Sequence, residues 1–211
     1  MKKELLNLKD KIVVVSKNRS INEIREIYDQ GFRMFGENRV QELLSKVDYT
    51  PSDIQWHLIG HLQRNKVSKI IKLCSLIHSV DSFRLLEKIN RESKKQNTIT
   101  NILLQVNIAL EDTKYGFNKN EVLDTIKKAS VFNNILIKGI MVIGPNISDE
   151  KMILDVFYQG YDLYNKCKEI KQHNVCIDTY SAGMSNDYKL ALKANSTLLR
   201  LGSIMFEKDN V

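Results

Sequence analysis

The sequence predicts an α/β fold, a (β/α)8 TIM barrel built from a single domain over residues 1–211, and three observations carry that expectation. Short β-branched or apolar runs, eight in number, alternate with longer amphipathic segments. A chain of 211 residues suits one large domain better than two small ones. The nine glycines and two prolines are dispersed, and no low-complexity tract marks a linker. Repeated right-handed βαβ units give either a closed barrel or an open doubly wound sheet. The strand count favours the barrel, which at this length must have short loops, since ~250 residues are typical.

The first strand is expected at Ile12–Ser16, a β-branched run too short for a signal peptide or a membrane span. Ile21, Ile24, Ile27 and Tyr28 then recur at helical spacing, opened by Ser20 and Glu23 at capping-box spacing. A second strand at Arg33–Phe35 precedes a helix carrying Val40, Leu43, Leu44 and Val47, with Asn38 and Gln41 as its capping pair. The third and fourth strands fall at Ile54–Ile59 and Leu76–Ser79. The fifth, Ile102–Asn107, leads to a helix with Val122, Leu123, Ile126 and Ala129, for which Asn118 and Glu121 have capping spacing. Ile135–Ile143 ends at a Gly144-Pro145 turn, and Val175–Thr179 and Thr197–Leu201 complete the set. Ser185 is expected to cap the helix that begins in NDYKLALKA.

Composition narrows the function classes. An apolar fraction of 43% and a charged fraction of 27% are ordinary for a soluble globular protein, and with no signal or spanning segment and no disulfide framework a cytoplasmic location is expected. The formal charge of +7 could draw phosphates or nucleic acid. The lysines are scattered, however, with no aromatic-interleaved basic stripe, so neither a nucleic-acid nor a membrane partner is expected. Cys74, Cys167 and Cys176 form no C-x-x-C pair, which argues against a disulfide framework and a zinc ribbon. His57 and His61 sit four apart, but their segment reads partly as strand and lacks a third ligand at suitable spacing, so no metal is expected.

Polar residues collect just past the strands' C-terminal ends: Lys17, Asn38, His57, Ser79, Asp81, Asn107, the run SAGMS (Ser181 to Ser185) and the run RLGS (Arg200 to Ser203). In a (β/α)8 barrel this face carries the active site, often with a phosphate site after the last two strands. Glycine and hydroxyl residues at helix starts there favour a phosphate dianion. Lys17 has two readings. Partly desolvated at the barrel mouth, its amine would be free to form a Schiff base with an aldehyde. It could equally be a surface lysine snorkelling from a strand end. Position alone leaves both open.

The segments VVVSK, FGENRVQE, WHLIGHLQRNK, HSVDS, QVNIALEDTKYGF, GIMVIGP, SAGMS and RLGSIMF occur in that order. Together they resemble the pyridoxal phosphate homeostasis protein family, the proline synthetase co-transcribed homologues, from about Ile12 to Phe206. The resemblance implies a barrel like the N-terminal domain of alanine racemase. It implies that Lys17 carries pyridoxal 5′-phosphate (PLP) as a Schiff base, with Asn38 near the ring. Ser185, Gly202 and Ser203 would hold the phosphate, with Ser181 a further contributor. Arg200 would approach the pyridine nitrogen, and a positive charge there disfavours protonating it.

The role implied is intracellular PLP (vitamin B6) homeostasis and amino-acid and keto-acid balance, without required turnover. The chain would be a monomer, with PLP-dependent apoenzymes as partners. A PLP-dependent amino-acid racemase is the alternative. It needs a second base, which in alanine racemase is a tyrosine from a C-terminal β-domain that has no counterpart here, so Tyr115 or Tyr180 would have to substitute. A Schiff-base phosphometabolite enzyme on the same barrel is another. Three departures from the family stand out: a short stretch before Ile12, a terminal FEKDNV in place of a glycine- and arginine-containing tail, and SAGMS in place of SMGMS.

Overall fold

The computed structural model describes residues 3–109 and 115–207. Helix α1 (Lys3–Leu6) leads into β1 (Ile12–Val15), α2 (Ile21–Tyr28), β2 (Met34–Glu37), α3 (Val40–Lys46), β3 (Gln55–Leu58) and β4 (Cys74–Val80). Then come α4 (Phe83–Lys95), β5 (Thr100–Asn107), β6 (Phe117–Asn118), α5 (Val122–Lys128) and β7 (Ile135–Val142). The chain continues through α6 (Glu150–Lys168), β8 (Val175–Ser181), α7 (Tyr188–Lys193), β9 (Leu199–Leu201) and α8 (Ser203–Phe206). A 3-10 stretch, Arg64–Lys69, replaces an α-helix between β3 and β4.

Every ladder is parallel, and the path runs β8-β7-β5-β4-β3-β2-β1-β9, with β6 added beside β5. The expected eight-stranded parallel sheet is therefore present, as a curled open sheet. Its two ends approach through an isolated parallel bridge between Ser181 and Leu198. Ala182 N donates to Leu198 O at 3.1 Å and Arg200 N to Gly183 O at 3.0 Å across the same seam. At Gly139, where β7 and β8 shift register, φ is +151° and a Cβ would overlap Thr179 O, so only glycine fits.

Strand side chains alternate between two apolar environments, which is why the strands read as unbroken apolar runs. Ile12 and Val14 join the large core beneath the helices, whereas Val13 packs with Leu76, Leu103, Met141 and Leu198 on the inner, concave face. Above that inner layer the concave face turns polar.

The eight expected strands match β1–β5 and β7–β9 within two residues at each end. The Ser20–Glu23 capping box forms at α2. Three other caps do not. Arg39, without a side-chain bond, holds the N-cap of α3 in place of Asn38, because β2 runs on through Glu37 and the Asn38 backbone packs against Gly60. Asn118 instead accepts from Asn120 N at 3.0 Å, and Glu121 is the N-cap of α5. Asp187, not Ser185, precedes α7. Strand β6 is not among the eight expected; two residues are too few to show a period. Residues 110–114, within the EDTKYGF segment and just before it, and the tail beyond Glu207 lie outside the described residues. No helix among the described residues is long and apolar enough to cross a membrane.

Candidate functional site

A cavity of about 930 Å³ opens at the C-terminal ends of the strands, and Lys17, Asn38, Ser185, Arg200, Gly202 and Ser203 all line it. Six positions spread over 187 residues of chain thus converge because five follow a parallel strand and Arg200 lies within the short last one.

Lys17 is held by its neighbours. Ser16 Oγ donates to Glu37 Oε1 at 2.6 Å, and Lys46 Nζ donates to Ser16 O and Glu37 Oε1, each at 2.7 Å. Lys46 also donates to Glu42 Oε1 at 2.8 Å, and that oxygen accepts from Asn18 N at 2.5 Å. Asn18 takes the left-handed conformation, φ 59°, which asparagine tolerates and which turns the chain back after the lysine. Glu37 is fully buried, and its Oε2 has no hydrogen bond among the described residues. Burial raises the Glu37 carboxyl above its ordinary value against the pull of Lys46 and Ser16. Burial also acts on Glu42, but bonds from Lys46 and Asn18 outweigh it and bring that carboxyl below its ordinary value. The side chain of Lys17 itself is exposed and makes no hydrogen bond or ion pair with the described residues. The expected partial desolvation of this lysine is therefore corrected: the strand end is rigid, but its last side chain stands in the open mouth.

The opposite wall is a buried cation. Arg200 is 4% exposed; its Nη1 donates to Ser181 Oγ at 2.7 Å and its Nη2 to Val142 O at 3.0 Å. Burial pulls the guanidinium down to about 10, which leaves it charged at neutral pH. Ser181 is fully buried between Arg200 and His78, so its expected share in a phosphate site is corrected as well. His57 is not at the mouth. It is buried on the concave side, bonded to His78 at 2.8 Å, and lines a separate cavity of about 420 Å³ with Met34, Leu76 and Leu198. Burial pushes the His57 imidazole down to about 4 and that of His78 well below its ordinary range.

The loop after β8 is stitched to β9. Gly202 N donates to Ser185 Oγ at 3.1 Å, and Met184 N to Asp187 Oδ1 at 2.5 Å. Helix α8 has four residues, so the expected help from a helix dipole reduces to local N–H and hydroxyl groups. A Cβ on Gly202 would meet nothing closer than 3.6 Å, at Val15 on the cavity wall. Packing does not demand glycine here; a side chain would instead fill cavity space.

His61 and Gln105 were not among the expected mouth residues, and Tyr115 joins them there. His61 Nδ1 pairs with Asp81 Oδ2 at 2.8 Å, and Tyr115 stacks on the His61 ring with centroids 4.0 Å apart. Gln105 Nε2 donates to Tyr115 O at 2.8 Å, and all three residues line the cavity. The available signal was position: His61 follows β3 as Lys17 follows β1 and Asn38 follows β2. It was weighed only as a metal ligand.

The family model for the alanine racemase N-terminal domain matches residues 1–209. The pyridoxal phosphate homeostasis protein of Helicobacter pylori strain 26695 is 37% identical over 203 residues, covering 94% of this chain and 87% of that protein. This chain belongs to the pyridoxal phosphate homeostasis protein family. Another homologue, PipY of Synechococcus elongatus PCC7942, is 31% identical with a TM-score of 0.88 in its structure without PLP, covering 94% of this chain and 93% of PipY. Its PLP-bound structure matches with a TM-score of 0.84. Alanine racemase of Clostridium difficile 630, 15% identical with a TM-score of 0.80, shares the fold of this homeostasis-protein family over 99% of the chain and 55% of the racemase.

Proposed function

We propose that this chain binds PLP in the mouth cavity and serves PLP homeostasis as a carrier rather than as a racemase. The observation that carries the reading is the convergence of Lys17, Asn38, Ser185, Arg200, Gly202 and Ser203 on one cavity, joined to a family whose member PipY has been solved with PLP bound. The donor set fits the group. A hydroxyl and backbone N–H groups at Ser185, Gly202 and Ser203 suit a phosphate, with Gly202 leaving room for it. A cation at Arg200 suits an acceptor ring nitrogen, and an amine at Lys17 suits an aldehyde.

PLP supplies an aldehyde that condenses with an amine and a ring that can accept electrons. The chain supplies the rest. Lys17 presents its amine from a backbone pinned at Ser16 and Asn18. Asn38 flanks the ring, and Ser185, Gly202 and Ser203 fix the phosphate. Arg200, charged and unable to accept a hydrogen bond, keeps a proton off the ring nitrogen. In this reading the bridge at Ser181 and Leu198 closes the sheet into a (β/α)8 barrel, residues 1–211 act as one PLP-binding domain, and the protein works as a cytoplasmic monomer that exchanges PLP with apoenzymes.

The deciding experiment is spectroscopic. The purified protein with PLP should show a yellow absorption band that borohydride bleaches, and peptide mass mapping should place the reduced adduct on Lys17. Lys17→Ala should remain folded and lose the band. A reducible adduct on another lysine, undiminished in Lys17→Ala, refutes the assignment.

A further inference from the structure

The buried polar residues beneath Arg200 take no part in the reading above, yet their hydrogen bonds have a fixed direction. A guanidinium only donates, so Arg200 Nη1 donates to Ser181 Oγ at 2.7 Å. The Ser181 hydroxyl proton then has one acceptor among the described residues, His78 Nδ1 at 3.1 Å. His78 must therefore carry its proton on Nε2, which donates to His57 Nδ1 at 2.8 Å. That places the His57 proton on its own Nε2, and His57 also lines the lower cavity. Every member is buried: Ser181 and His78 are 0% exposed, and His57 and Arg200 4%. The chain starts at the mouth cavity and ends at the lower one, crossing the concave side of the sheet through β9, β8, β4 and β3.

We propose that Ser181, His78 and His57 are positioning residues for Arg200: a one-way hydrogen-bond chain that fixes the guanidinium's orientation and so its reach toward an acceptor in the mouth cavity. Ser181 is the coupling point, because it supplies one of the two bonds holding the guanidinium; the other, to Val142 O, comes from the backbone and cannot vary with side-chain identity. The chain's effect on PLP rests on the proposed function, whereas its direction does not.

Two measurements test it separately. Long-range ¹H–¹⁵N spectra of the full chain without PLP, labelled in histidine, should show His57 and His78 both as Nε2–H tautomers. A His78 protonated at Nδ1, or averaging between tautomers, overturns the chain. The second measurement compares PLP with 1-deazapyridoxal 5′-phosphate, which lacks the ring nitrogen. Ser181→Ala should weaken PLP about ten-fold, the scale of one charge-assisted bond, and leave the deaza analogue unchanged. Ser181→Thr keeps the hydroxyl and should restore PLP binding, although at a fully buried site its added methyl packs worse than alanine. Unchanged PLP affinity in Ser181→Ala, or equal losses for both ligands, overturns the positioning role. If the unaltered protein binds neither ligand, the functional reading fails while the tautomer spectra still decide the chain.

Discussion

Lys46→Met tests the clamp around Lys17 most directly. Lys46 joins three acceptors in one network, Ser16 O, Glu37 Oε1 and Glu42 Oε1, all within 2.7–2.8 Å. Its side chain is 7% exposed and that of Glu37 0%. Removing one partner of such a buried pair strands the other, and the cost is typically ~3–5 kcal/mol. Glu37 keeps only Ser16 Oγ, with Oε2 already lacking a hydrogen bond, so the upper part of that range is expected. For a chain of this length each kcal/mol moves the melting temperature by ~2–4 °C, which gives a fall of roughly 8–20 °C. The double variant Glu37→Gln with Lys46→Met removes both charges and should recover most of the loss, since a neutral pair leaves no unpaired charge. Urea unfolding with linear extrapolation measures each value, and the rate of borohydride trapping on Lys17 reports the geometry. A Lys46→Met cost below ~1 kcal/mol, or a double variant no better than the single, refutes the buried clamp.

Three further outcomes are expected. Gly202→Ala should unfold like the wild type yet hold PLP several-fold more weakly, and Ser185→Ala should do the same; equilibrium dialysis measures both, and unchanged retention in the pair means the phosphate end is elsewhere. Stability should depend on pH through the two buried histidines. Their folded values lie below the unfolded 6.5, His57 at about 4 and His78 well below its ordinary range, so the unfolded chain binds more protons beneath pH 6.5; stability is complete above that pH and is lost progressively as pH falls, the His57 share by about pH 4 and the His78 share further down. Urea midpoints between pH 4.5 and 7.5 read this slope, and a flat profile contradicts neutral burial. Tyr115→Phe should leave PLP binding intact, and neither it nor the wild type should exchange the α-hydrogen of alanine or serine for deuterium; rapid exchange abolished by Tyr115→Phe would establish the racemase reading instead.

The fold was legible where burial writes a periodic signal. Val13 and its neighbours face apolar surroundings on both sides of the sheet, so strands stand out as continuous runs, and helix α2 carries a complete capping box. Caps at Asn38 and Ser185 were misread because the same residue types serve helix starts and cavity mouths. Spacing cannot tell an Asn that bonds its own helix from one whose backbone packs against Gly60. The mouth residues were found through order along the chain, since each follows a strand. The depth of His57 was not, because one residue of register separates a mouth position from the interior. Nor could spacing reveal that Ser181 and His78, 103 residues apart, share a hydrogen bond beneath the arginine.

The two ends of the proposed PLP site differ in a way that bears on carriage against catalysis. The Lys17 end is exposed at its tip and rigid at its root, so an amine proposed to bond the aldehyde would be reachable from solvent and from another protein. The nitrogen end is a cation sealed at 4% exposure and still charged, since burial brings it only to about 10. A ring nitrogen facing that charge stays unprotonated, and the ring is then a weaker electron sink for breaking bonds at an amino acid's α-carbon. Strong electron withdrawal would help a catalyst and harm a reservoir, by driving side reactions of the held aldehyde with cellular amines. An accessible amine at one end and a fixed cation at the other permit attachment and release while restraining the chemistry between them, the combination a carrier requires.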